Sequence, residues 1–127
     1  MSDLTTLIDR VRGLEGPDRE VDVAVLLALG IMTLERRQRD RKEWLYVVGS
    51  SYERHDPRML PARFKLTASL DAVIALIERE LPGHGWFVDS ANCAGVHEFD
   101  GPVQRGNTPA LALLLAFLTV MKEKSVD

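Results

Sequence analysis

The chain is expected to fold as an α+β domain, an α-β-α sandwich in which a small, mainly antiparallel sheet carries helices on both faces. Three observations point there. Apolar stripes at helical spacing recur near the start, middle and end of the sequence. Short runs rich in aromatic and β-branched residues lie between them. The last helical run is apolar on every side, so it needs cover on more than one face. The expected order is α-α-β-(β)-α-β-β-α, in a single domain spanning residues 1–127.

Leu4, Leu7, Ile8, Val11 and Leu14 form the stripe of a first helix, capped by Ser2 or Asp3 and stopped by Gly13 and Gly16-Pro17. A second helix starts near Pro17, with Asp18 and Glu20 in its first turn, and stops at Gly30. Glu35 to Glu43 is dense in charge and either prolongs a helix or forms a solvated loop. Trp44-Leu45-Tyr46-Val47-Val48 reads as a strand. Ser50 to Pro61 reads as a loop, and Arg63-Phe64-Lys65-Leu66 as a short edge strand or an extended lead. Leu70, Val73, Ile74, Ile77 and Leu81 define a third helix, capped by Thr67 or Ser69 and ended by Pro82-Gly83. Trp86-Phe87-Val88 and Val96-His97-Glu98-Phe99 are the arms of a hairpin. Ala91-Asn92 and Ala94-Gly95 are its turn material, and Asp100-Gly101-Pro102 is a break. Thr108-Pro109 caps and opens the last helix, whose apolar surface packs within the chain or against a second copy.

Composition removes several classes of function. There are 16 basic and 19 acidic residues, a net charge of −3, which argues against a general nucleic-acid coat. The single cysteine rules out a disulfide framework. No signal peptide or membrane-length apolar run is expected, which suggests a cytoplasmic protein. The charge is uneven, however. Residues 31–66 hold nine basic and five acidic side chains, a net of +4, while the remainder carries −7.

Three stretches carry a family resemblance. They are Gly16-Pro17-Asp18-Arg19-Glu20-Val21-Asp22 with the Leu26 to Gly30 run, Thr67-Ala68-Ser69-Leu70-Asp71-Ala72, and Thr108-Pro109-Ala110-Leu111-Ala112-Leu113. Together they resemble the phage α-β-α sandwich domain family, small phage and prophage proteins mostly without assigned function. That layout is similar to phage proteins that sequester cyclic nucleotide signals, such as those that block Thoeris defence. The resemblance implies a non-enzymatic binding protein, a homo-oligomer (a dimer first) that takes up a small anionic nucleotide signal. Members often carry arginines in the last helix, where they meet a ligand phosphate. Here that helix has none before Lys122, and Arg105 is the nearest guanidinium.

Two sets of binding residues follow. Arg105, Asn107 and Thr108 sit at the start of the last helix, where free amides favour an anion. Trp86 supplies a stacking ring, and Arg63 and Lys65 flank Phe64 as further cations. The alternative is a protein inhibitor or accessory protein acting on a host complex through Arg36, Arg37, Arg39 and Arg41 within residues 31–58. The bland reading of that run is a solvated helix face, with Glu35, Asp40 and Glu43 as ion-pair partners. Their interleaving disfavours nucleic acid. His84, Cys93 and His97 match no common zinc spacing and lack an orienting acid, so no metal, cofactor or nucleophile pair is expected.

Overall fold

The computed structural model describes residues 4–39, 42–49, 54–56, 60–97 and 103–124. The protein is α+β, with four α-helices and six short strands among these residues. Helices α1 (Leu4–Arg12) and α2 (Arg19–Ala28) precede strands β1 (Thr33–Arg39), β2 (Lys42–Val48) and β3 (Arg54–His55). A 3₁₀ turn (Ala62–Phe64) leads into α3 (Leu70–Glu80), and β4 (Gly85–Val88), β5 (Cys93–His97) and β6 (Gln104–Arg105) precede α4 (Pro109–Lys124). The strands form two antiparallel three-stranded sheets, ordered β1-β2-β3 and β4-β5-β6.

Helix α4 is the centre of the body. Residues 110–118 are buried on every side. The β4-β5-β6 sheet packs on α4, and α1 and α3 also pack against it. This satisfies the demand set by an all-round apolar helix within one chain. A dimer contact is not needed to cover it. No helix among the described residues is long and apolar enough to cross a membrane.

Local chemistry explains the helix starts. The Asp18 carboxylate accepts from the Glu20 and Val21 amides, and the Ser69 hydroxyl accepts from Ala72 N–H. Thr108 Oγ1 accepts from Leu111 N–H. Of the two caps expected for α3, Ser69 is the one used. Thr67 instead ties the preceding turn to α2. The expected Ser2 or Asp3 cap and the Asp100-Gly101-Pro102 break lie outside the described residues.

Four expectations need correction. Residues 33–39 and 42–48 are paired strands, so the charged run is neither helix nor loop. Residues 54–55, expected as loop, pair with β2. Residues 62–64 form a 3₁₀ turn rather than an edge strand, because Pro61 starts a turn closed by Phe64 N–H on Pro61 O. Ala94 and Gly95 are strand residues of β5, paired with Val88 and Phe87. The turn ends earlier, at Asn92, which holds a left-handed φ of 57° that asparagine tolerates. Asp89 Oδ1 accepts from Ala91 N–H at 2.8 Å and Cys93 N–H at 3.0 Å, which closes that turn.

Candidate functional site

Strands β1 and β2 form an arm. Trp44, Tyr46, Val47 and Val48 favour extended backbone, and β1 is ordered by pairing with them. Only Asp40 and Arg41 separate the two strands in sequence. Among the described residues, the arm packs chiefly on itself and on β3.

The register divides the arm's charges. Residues opposite one another share a face, and alternate residues share it too. One face carries Glu35, Arg37 and Arg39 of β1 with Lys42, Trp44 and Tyr46 of β2. The other carries Leu34, Arg36 and Gln38 with Glu43, Leu45 and Val47. Glu35 and Glu43, interleaved with cations in sequence, therefore fall on opposite faces. Glu35 is already engaged, since its carboxylate accepts from Arg54 Nε at 2.9 Å. Arg41 lies outside the described residues.

The arm meets the body through His55 of β3, whose ring lies 5.7 Å from that of Phe64 in a tilted arrangement. His55 pairs with Val47, so it belongs to the Leu34 face. At the arm's base a groove of about 470 Å³ runs between Ile31, Leu34, Glu35 and Val48. The charged group among its lining residues is the Glu35 carboxylate, which disfavours a small anion.

The residues expected to surround a small anion lie on separate elements. Arg105 pairs with Cys93 and takes the outer face of the β4-β5-β6 sheet, with Phe87 and Gly95. Trp86 pairs with Val96, whose side chain is buried, so Trp86 stands on the inner face at the sheet edge, 40% exposed. Asn107 donates from Nδ2 to Leu14 O at 2.6 Å, tying the end of α1 to the approach of α4. The Thr108 hydroxyl is engaged by Leu111. The Arg63 guanidinium lies 4.6 Å from the centre of the Phe64 ring, and Lys65 is exposed one residue beyond that ring. The 3₁₀ turn packs on α3, whereas β6 packs on α4 and β5. Cys93 is half-buried on β5, and no three His, Cys, Asp or Glu side chains converge among the described residues.

One polar centre has no sequence motif to announce it. Asp22, only 3% exposed, projects from α2 and accepts from Thr67 N–H at 2.7 Å. The Thr67 hydroxyl accepts from Asp18 N–H at 2.8 Å and faces Asp18 O at 3.1 Å. Burial raises the Asp22 pKa, helped by the nearby Asp18 charge and opposed by the Thr67 bonds and Lys65. The helical stripe gave one signal, an aspartate among Val21, Val25 and Leu26.

A prediction follows from the sign of that shift. The folded state holds the Asp22 proton more tightly than the unfolded chain. Its contribution to stability is complete at acid pH and declines as pH rises from the ordinary aspartate range through the raised native value. Asp22→Asn keeps an acceptor for Thr67 and removes the charge. Its urea unfolding free energy, relative to wild type, should increase from about pH 4 to pH 7. Parallel curves for the two proteins would contradict the buried-charge account. Asp22→Ala should cost about 1–3 kcal/mol by stranding the Thr67 amide.

Comparison of the chain with known protein families, curated proteins and solved structures finds no match.

Proposed function

We propose that this chain is a non-enzymatic binding protein whose contact element is the β1–β2 arm, and that the arm engages an anionic macromolecule. The observation that carries this reading is the register. It gathers Arg37, Arg39 and Lys42 on one face and pairs the acid of that face, Glu35, with Arg54. In the setting that the family resemblance implies, the partner would be a component of a host assembly.

Capture of a small nucleotide signal near α4 has less support. Asn107 and Thr108 already serve the fold there, and Trp86 and Arg105 occupy opposite sheet faces. The test is retention on immobilised heparin, a generic polyanion. The wild type should elute at higher salt than Arg37→Glu/Arg39→Glu, with both proteins melting within a few degrees of one another. Equal elution of the two would remove the arm as the contact element.

A further inference from the structure

We propose that β4 is the contact edge of a weak homodimer, in which the β4-β5-β6 sheets of two copies join antiparallel into one continuous sheet. Strand β4 ends its sheet and, among the described residues, pairs with β5 alone. Trp86, 40% exposed, and Phe87, 36% exposed, are neighbours on this strand. Consecutive strand residues point to opposite faces, so apolar surface lines both sides of one edge. Edge strands are ordinarily guarded by charge, proline or a bulge. Gly85 to Val88 contains no charged residue and no proline, and its register with β5 is unbroken. The edge strand β1, by contrast, carries Arg36, Arg37 and Arg39. Two β1 edges would set arginine beside arginine. Two β4 edges meet without a like-charge contact, although each chain carries −3.

The backbone is turned to suit a second copy. Asp89 N–H donates to Cys93 O at 2.9 Å. By alternation, Phe87 and Gly85 turn their amides to β5, and Trp86 and Val88 turn theirs outward. A two-fold axis beside Trp86 lets the two Trp86 residues exchange N–H···O bonds and pairs their rings across the junction. The same axis sets Phe87 of each copy opposite Gly85 of the other, because both lie one residue from Trp86. Phe87 already faces Gly95 across β5, and Gly85 is exposed. Each ring therefore covers a glycine that the single chain leaves open, and symmetry repeats this large-small pair. A charged partner strand would find no charge on β4 to answer its own.

The area sets the strength. Rings of this size bury about 150–250 Å² when fully covered. The exposed fractions of Trp86 and Phe87 thus offer at most about 100 Å² each. With a short strand backbone added, the junction stays below the ~1,200 Å² of a standard stable interface. Association should be reversible, half complete on the order of 0.1–1 mM.

The experiment combines small-angle scattering from about 20 μM to 2 mM with amide hydrogen exchange read by NMR at both ends of that range. The apparent mass should rise from one chain toward two. Protection of Trp86 N–H should rise with concentration, while Phe87 N–H, turned to β5, should be protected throughout. Gly85→Lys puts a charge on the edge and fills the place of the incoming ring, and it should weaken association at least about tenfold. If Gly85→Lys lowers the melting temperature, Trp86→Thr serves in its place. Arg37→Glu/Arg39→Glu should leave the mass profile unchanged, since the arm takes no part.

A single-chain mass at the highest concentration would overturn the second copy as occupant of this edge. Self-association with Trp86 exchange unchanged would place the contact on another surface and overturn the β4 assignment. Self-association unmoved by Gly85→Lys and by Trp86→Thr would do the same.

Discussion

Phe117→Ala is expected to lower the unfolding free energy by about 3–5 kcal/mol. The ring is fully buried in the middle of α4, the helix on which the β4-β5-β6 sheet, α1 and α3 all converge. Truncation removes apolar contacts and leaves a cavity whose walls belong to several elements. Such walls collapse poorly, because moving any one of them disturbs its other contacts. A domain of this size has a total stability of about 5–15 kcal/mol, so the variant should lose about a fifth of it or more. Urea unfolding should show a lower midpoint with an unchanged slope. Val120→Ala, half-buried near the C-terminal end of the same helix, should cost clearly less. Equal losses at the two positions would mean that α4 is not enclosed as described.

The central helix was legible because its evidence is local. Residues 110–118 contain no charged side chain, and Thr108-Pro109 provides both a cap and a first-turn residue. The same holds for α2 and α3, whose caps are a side-chain oxygen two or three residues from the amides it serves.

Only half of the arm was legible: Trp44 to Val48 reads as a strand, and β1 does not. Thr-Leu-Glu-Arg-Arg-Gln-Arg has no alternation, and Asp40-Arg41 contains no glycine to signal a two-residue turn. Strand β1 exists because β2 offers it a partner, and that information lies three to fifteen residues away. Register decides which charges are neighbours. A linear count sees Glu35, Asp40 and Glu43 among the arginines, whereas pairing sends Glu43 to one face and leaves Arg37 and Arg39 on the other. Arg54, the partner of Glu35, is 19 residues distant in a segment expected to be loop. Strand β6 was missed for a similar reason, being two residues long and defined only by its pairing with Cys93 and Ala94.

Gly106→Ala tests the packing of that short strand on α4, and it should cost about 3 kcal/mol or somewhat more. A Cβ at position 106 would lie 2.5 Å from the nitrogen of Ala112, 2.8 Å from its Cα and 2.9 Å from the carbonyl carbon of Leu111. All three are helix backbone, which cannot rotate aside as a side chain can. The helix is held from within, since Ala112 N–H donates to Thr108 O at 2.9 Å. Its far side packs on α1 and α3. Residue 106 is also held, because Gly106 N–H donates to Asn92 O at 3.1 Å and the next residue is tied to Leu14. Relief therefore requires breaking one of these bonds or shifting the sheet off the core. Gly16→Ala is the matched control. It has nothing within 4 Å of the added methyl, and the smaller entropy of the unfolded alanine chain should leave it neutral or up to about 1 kcal/mol more stable. The two variants differ in composition from wild type by the same single methyl. A drop in melting temperature of about 10 °C is expected for Gly106→Ala alone. Similar melting of both variants would show that β6 does not lie against the first turns of α4.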